Sequence, residues 1–333
     1  MNLLLFNRQP LWKCFFVFRH GKAISFAGLL EAFGVVLCLT TVLSFMGKLG
    51  WLIELTTHFR PQYAVLLTAL TAIWFSKRRW GLMIACGVAT GINLAPICSL
   101  CWPTQDLSNP SGQPLRVASV NVTSSNRRFD LVLNWIREVK PDVILLMEIR
   151  DARIHEIDRL RETHPHTILE LRDDDFGIAL LSRFPMTSDT TVELGDSGVP
   201  SIEADLQIGR TVIHFIGLHA LPPSTAENAR LRDAQFHAVA TRVRALSVPV
   251  VVCGDFNCTQ WSPSFAELLR GTRLKDTARG RALAGSWPAP LPFFRIPIDH
   301  CLVSETVRVV DRRLGPTVGG DHLPLLIDLA IAQ

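Results

Sequence analysis

Tyrosine is nearly absent from this chain: of 333 residues, only Tyr63 carries a phenol. Acidic residues are almost as scarce early on, where residues 1–113 hold nine Lys and Arg against three Asp and Glu. Lysine in turn is rare beyond that point, with Lys140 and Lys275 alone over 114–333, and there 25 basic side chains face 27 acidic ones. The formal net charge of +4 therefore belongs to the first third and gives no argument for nucleic-acid affinity of the remainder. Zinc spacing is lacking too. Cys98 and Cys101 make one C-x-x-C with no second pair and no nearby His, and the eight cysteines form no dense secreted framework. The stretch LGPTVGG has no Lys-Ser/Thr after it, which excludes a phosphate loop. Repeats and low-complexity segments are absent.

What is present divides into two bodies. Residues 24–46 carry one charge, Glu31, and residues 80–102 carry none, with Trp at both ends. Roughly 20 apolar residues cross a hydrocarbon core of about 30 Å, so each is long enough to span a membrane. Residues 62–76 form a third, shorter expected span, closed by Lys77, Arg78 and Arg79. Arg8, Lys13, Arg19 and Lys22 precede the first span. With the basic 77–79 turn they place the N-terminus in the cytoplasm by the positive-inside rule, and three crossings put residue 103 onward outside. The expectation is a multi-pass plasma-membrane protein with an extracytoplasmic domain, periplasmic if the source is bacterial. A cleaved signal peptide fits poorly, because the first apolar run is too long and two more follow. Glu31 is expected to be protonated or snorkelling. Cys14, Cys38 and Cys86 lie in or beside apolar stretches, Cys98 and Cys101 are packed thiols or a disulfide, and Cys253, Cys258 and Cys301 are small core hydrophobes.

Residues 103–114, rich in Pro, Ser, Gly and Asn, form an expected linker. Residues 115–333 then suit one α/β or α+β domain. Strands are expected at 115–122, 143–147, 177–182, 211–218, 248–253, 298–303 and 325–329, and helices at 129–140 and 226–246.

The acids, amides and histidines fall at the ends of those strands. Asn121 ends SVNV, Glu148 ends VILLME and His219 ends FIGLH. Asp255 and Asn257 lie in VVVCGDFN, Asp299 in IPIDH, and Asp321 and His322 in GGDHLPL. Carboxylates so placed can converge at one edge of a sheet, where ligand sites form. Hard oxygen donors such as Glu148 and Asp321 suit Mg²⁺ or Mn²⁺.

Taken together, SVNV, PDVILLMEI, FGIALLSRFP, GLHALPP, RDAQ, CGDFN, SWP with IDHCLVS, and GGDHLPL resemble, in order, the endonuclease/exonuclease/phosphatase superfamily. That group contains DNase I, abasic-site endonucleases, neutral sphingomyelinases and inositol-polyphosphate phosphatases. The resemblance implies a four-layer sandwich of two facing β-sheets flanked by helices, with one or two divalent ions at their shared edge. It implies that Glu148 is the main metal ligand with Asn121 beside it, and that Asp321 lies near the metal or its waters. Asp255 would orient and deprotonate the attacking water, and Asn257 would hold that water or the phosphate. Asp299 would fix the His322 imidazolium, and His219 would be a second catalytic histidine. The carboxylate partner of His219 is open, with Asp173, Asp174 and Asp175 candidates by proximity.

The resemblance implies a phosphoesterase acting on a phosphodiester or phosphomonoester, in a nucleic acid or a phospholipid headgroup; the rival is an inactive membrane scaffold that retains the fold. Other polar residues read as structural. Arg232 and Gln235 match a helix pattern of the resembled family, and a solvated helix face explains them nearly as well; His164 and His166 suit a solvent loop, and His300 a strand position facing away. Arg270, Arg273, Lys275, Arg279 and Arg281 form a possible basic rim.

Overall fold

The computed structural model describes residues 25–102, 112–281 and 284–332. The basic segment before residue 25, with Cys14, and most of the expected linker lie outside the described residues.

The first body is helical: α1 (Phe26–Leu43), α2 (Trp51–Leu55), α3 (Arg60–Ser76) and α4 (Trp80–Cys101). The Ser25 hydroxyl caps α1 by accepting from Gly28 N. Helix α1 runs antiparallel to α3 and parallel to α4. Glu31 pairs with Arg79 at 2.8 Å at one end, Gly34 lies against Leu70 and Cys86, and Arg60 donates to Ser44 O at the other. Glu31 is thus ion-paired, because the turn between α3 and α4 brings a guanidinium beside it. Among the described residues, α1 and α4 are long and apolar enough to cross a membrane. The expected third span is α3, which at 17 residues is shorter and opens on Arg60 and Gln62, both buried. Cys98 and Cys101 are free and exposed, so no disulfide joins them.

From residue 113 the chain runs β1 (Gln113–Asn121), α5 (Phe129–Val139), β2 (Val143–Met147), α6 (Ile154–Arg161), β3 (His166–Glu170), β4 (Ile178–Ser182), β5 (Met186–Glu193), β6 (Pro200–Ile208) and β7 (Thr211–His219). It continues through α7 (Ala226–Ala245), β8 (Val250–Asp255), α8 (Pro263–Thr272), β9 (Lys275–Asp276), β10 (Asp299–Val303), β11 (Val307–Leu314) and β12 (Leu325–Ile331). Two six-stranded mixed sheets result, ordered β11-β12-β1-β2-β4-β3 and β5-β6-β7-β8-β10-β9. Each has one parallel pair at its centre, β1 with β2 and β7 with β8, bridged by α5 and α7 respectively. A parallel pair requires such a crossover.

The layers follow from the side-chain pattern. Val143, Leu145 and Met147 of β2 join Phe215, Val251 and Cys301 of the other sheet in the central core. Ile144 and Leu146 face the opposite way, under Phe129, Val132, Leu133 and Ile136 of α5. A strand covered on both faces reads as a continuous apolar run. The second sheet repeats the arrangement, with Phe236 and Val239 of α7 over Ile216 and Val252. Cys253, Cys258 and Cys301 are buried core residues. Helix α5 stops at Lys140, which is left-handed at φ 47°, just before Pro141.

The two bodies are joined by buried polar contacts. Arg232 Nη2 donates to both Glu54 oxygens, at 2.9 and 2.7 Å, with Arg232 wholly buried. The Ser262 hydroxyl adds a bond to the same carboxylate. His58 Nδ1 lies 3.0 Å from Thr259 Oγ1, and burial pushes its pKa down to about 4, leaving it neutral. Gln62 Nε2 donates to the carbonyls of Phe293 and Arg295, and at the exposed margin Lys48 pairs with Glu267. Arg232 and Gln235 are therefore buried: Arg232 anchors the helical body, and Gln235 Oε1 accepts from Leu221 N. His164 is likewise buried, bonded to Pro141 O at 3.0 Å.

Candidate active site

Strand register brings the expected residues to one edge. Asn121 and Glu148 end neighbouring parallel strands, with Asn121 opposite Met147. His219 lies opposite Asp255 at the end of the other parallel pair. Strand β10 runs antiparallel to β8, so its first residue, Asp299, stands opposite Asp255. Strand β12 runs antiparallel to β1, so the chain entering it delivers Asp321 and His322 to the same edge. Gly254 makes the approach to Asp255 possible: its φ is 146°, and a Cβ there would lie 1.8 Å from Leu218 O. Two site residues hold positive φ without being glycine, Glu148 at 63° and Asn257 at 49°. Such strain persists where the surroundings over-determine it.

Three side chains form a buried chain. His322 Nδ1 donates to Asp299 Oδ2 at 2.9 Å, and its Nε2 lies 3.6 Å from Asp255 Oδ2. Burial alone disfavours a charged imidazole, but Asp299 and Asp255 outweigh it and raise the His322 pKa to about 10. The same imidazolium holds Asp299 below its usual range against its burial. Burial pushes Asp255 upward. His219 Nε2 is 3.9 Å from Asp255 Oδ2, and burial pushes its pKa down to about 4, so it is neutral. Two histidines at one edge thus hold opposite protonation states, which is how a single site obtains distinct proton roles.

Among the described residues nothing bonds His219 Nδ1. The candidate partners are engaged elsewhere: Asp174 by Arg172 and Phe176 N, Asp175 by Arg150 and Ser124 Oγ. The Phe176 ring instead packs against His219 at 5.1 Å.

Glu148 occupies a second pocket of donors. Its oxygens accept from Asn121 Nδ2 at 2.8 Å and Ser124 N at 2.8 Å, and Asn121 Nδ2 also reaches Asp255 Oδ2 at 3.3 Å. Thr123 Oγ1 links this loop to Asp321, whose other oxygen accepts from Trp287 Nε1 at 2.9 Å. All eight expected residues therefore share one edge. Asn257 N donates to Asp255 Oδ1 at 2.8 Å, and its amide donates to Ala220 O. The supporting residues Thr123, Ser124, Ser286 and Trp287 were not singled out as site residues from sequence. Only Ser286 and Trp287 carried a signal, as part of SWP.

Ligand atoms of Asp255, Asp299 and His322 lie within 4.8 Å of one another, yet a doubly protonated imidazole offers no lone pair to a metal. Glu148 fits a cation better. Its bonded donors are neutral and burial is the main influence pushing its pKa up, so an added positive charge would relieve it.

The family model for the endonuclease/exonuclease/phosphatase family matches residues 116–322. No curated protein matches the chain. Among solved structures, an endonuclease/exonuclease/phosphatase from Beutenbergia cavernae is similar at TM-score 0.56 and 20% identity, covering 66% of this chain and 72% of that one. The human Nocturnin catalytic domain with bound sulfate gives 0.52 and 18%, covering 66% and 95%. D. rerio TDP2 complexed with a single-strand DNA product gives 0.55 and 14%, covering 65% and 98%. At these identities the structural likeness establishes the fold.

Proposed function

We propose, from the premise that the chain belongs to the endonuclease/exonuclease/phosphatase family, that it is a divalent-metal-dependent phosphoesterase cleaving a phosphodiester of a nucleic acid or a phospholipid headgroup. The observation that carries the reading is the chain Asp255–His322–Asp299 beside Glu148 and Asn121. Asp255 takes a proton from the attacking water, with Asn257 bonded to its other oxygen to fix the carboxylate plane. His322 stays cationic through neutral pH and donates from Nε2 to a phosphate oxygen where negative charge grows. Asp299 fixes the tautomer and aim of that ring. Neutral His219 hydrogen-bonds the ester without adding charge. Glu148 would hold the ion, with Asn121 beside it and Asp321 toward its waters. Mg²⁺ or Mn²⁺, as one ion or two, supplies Lewis-acid stabilisation of the phosphoryl oxygens.

The full chain in detergent, given bis-(p-nitrophenyl) phosphate, is expected to turn over with Mg²⁺ or Mn²⁺ and to lose activity at least about a hundredfold in EDTA. Activity indifferent to EDTA defeats the metal assignment, and a protein inert under all conditions is the retained-fold scaffold.

The body at 115–333 is the catalytic domain of this reading, and residues 103–114 its linker. Residues 24–46, 62–76 and 80–102 are proposed as three spans of a multi-pass plasma-membrane protein. The N-terminus is cytoplasmic and the catalytic domain extracytoplasmic. Support comes from charge: Lys77, Arg78 and Arg79 lie at the bundle end opposite Arg60, where the catalytic body is held. An alkaline-phosphatase fusion after Gln333 is expected to be active in cells. A fusion inactive there, with an active cytoplasmic reporter at the same point, reverses the topology.

A further inference from the structure

Where the helical body meets the catalytic body, a cleft of about 630 Å³ opens that has no part in the ester chemistry above. Val65 of α3 and Ile97 of α4 form one wall, and Trp261, Phe293, Leu314 and Leu323 form the other. Its polar groups are few. Gln62 spans to the Phe293 and Arg295 carbonyls, and the Arg295 guanidinium is steadied by Ala289 O.

Beside the cleft, Leu291, Phe293 and Phe294 are 53%, 48% and 53% exposed. Three large apolar side chains on one short loop form an unfavourable patch in water and mark a contact surface. Gln62 pins this loop to the first turn of α3, so the patch lies beside the exposed Val65 of α3, which lines the same cleft. The same stretches also build the active edge. Trp287 bonds Asp321, Ser286 Oγ accepts from Asp299 N, and Leu323 follows His322 while donating to Ser286 O. A polynucleotide would instead need a basic surface. Residues 114–333 have two more acids than bases and only two lysines. Of the expected basic rim, Arg281 is bonded to Val309 O, Arg270 faces Glu267 and Lys275 faces Glu305.

We infer that the cleft is a phospholipid subsite. The loop of Leu291, Phe293 and Phe294 lies in the bilayer surface, acyl chain runs along Val65 and Ile97, and the ester delivered to Asp255 is carried by a membrane lipid. The binding half stands on the cleft alone; the substrate half rests on the phosphoesterase reading.

The test uses the full chain in nanodiscs of mixed phosphatidylcholine and phosphatidylglycerol. Native mass spectrometry reads the phospholipid retained, and turnover is read on headgroup release, bis-(p-nitrophenyl) phosphate and single-stranded DNA. Val65→Trp fills the cleft and Phe293→Asp charges its rim. Both positions are substantially exposed, and circular dichroism matching wild type qualifies each variant. Wild type is expected to retain phospholipid. Each variant is expected to lower both that occupancy and the ratio of headgroup release to soluble-diester turnover about tenfold, equivalent to about 1.4 kcal/mol. Soluble-diester turnover without lipid retention, or with a ratio unmoved in both variants, overturns the inference and leaves the phosphoesterase reading standing. Preferential cleavage of DNA, indifferent to both variants, overturns it in favour of a polynucleotide. A wild type that retains lipid yet cleaves nothing ends the phosphoesterase reading and the substrate half with it.

Discussion

Asp255→Asn is expected to lower kcat about a thousandfold on bis-(p-nitrophenyl) phosphate while leaving KM within a few-fold and the circular dichroism spectrum unchanged. The amide is nearly isosteric, and its oxygen can still accept from Asn257 N, so the turn after β8 survives. What it cannot do is take a proton. It also removes a negative charge 3.6 Å from His322 Nε2, so the imidazolium is retained by Asp299 and, more weakly, Asp321, and its pKa falls from about 10. The two losses are not additive, because both residues act on one phosphate. His322→Gln should therefore cost a similar factor, and the double variant little more than either. Asp255→Asn retaining more than about a tenth of wild-type kcat would remove Asp255 from the role of base, which is worth about 10²–10⁴ where it operates.

The second large effect concerns stability. Arg232→Met is expected to destabilise the full chain by about 3–5 kcal/mol, because it strands the Glu54 carboxylate among Ser262, Ser264 and buried backbone. Pairing it with Glu54→Leu is expected to recover most of the loss, since a buried ion pair gains little over apolar residues of similar volume. The measurement is apparent Tm in detergent, with limited proteolysis between the bodies as a second readout. Arg232→Met as stable as wild type would mean that the loop bearing Glu54 is held by its other contacts and that this pair is incidental.

How much of this was legible in the sequence depended on burial. Strand β2, covered on both faces, spells Val-Ile-Leu-Leu-Met and was read at its observed limits. So was the start of α5, where Phe129, Val132, Leu133 and Ile136 repeat at helical spacing. Strands at or near sheet edges escaped. Met186–Glu193 is largely exposed and polar, and Pro200–Ile208 carries Glu203 and Asp205 in its pattern, so neither presents an apolar run. The eight expected residues stood out because each interrupts an apolar segment at its end. Thr123 and Ser124 were missed because hydroxyls in a loop look like ordinary turn residues until the acids they bond are known. The solvated-face alternative for Arg232 failed for a related reason. A cation on a helix implies solvent unless its partner is seen, and Glu54 lies 178 positions earlier. The helical body has two helices long and apolar enough to cross a membrane, while α3, at 17 residues, is shorter and opens on buried polar side chains.

The grip of Glu54, His58 and Gln62 on the sandwich has a kinetic corollary. A hydrolase swinging on a slack tether samples a hemisphere, and its rate follows bulk concentration. One clamped at three points keeps a constant height and tilt, so in the proposed arrangement turnover tracks how densely esters crowd the surrounding plane. Diluting lipid substrate within vesicles should then slow the protein, whereas adding more vesicles of the same composition should not speed it.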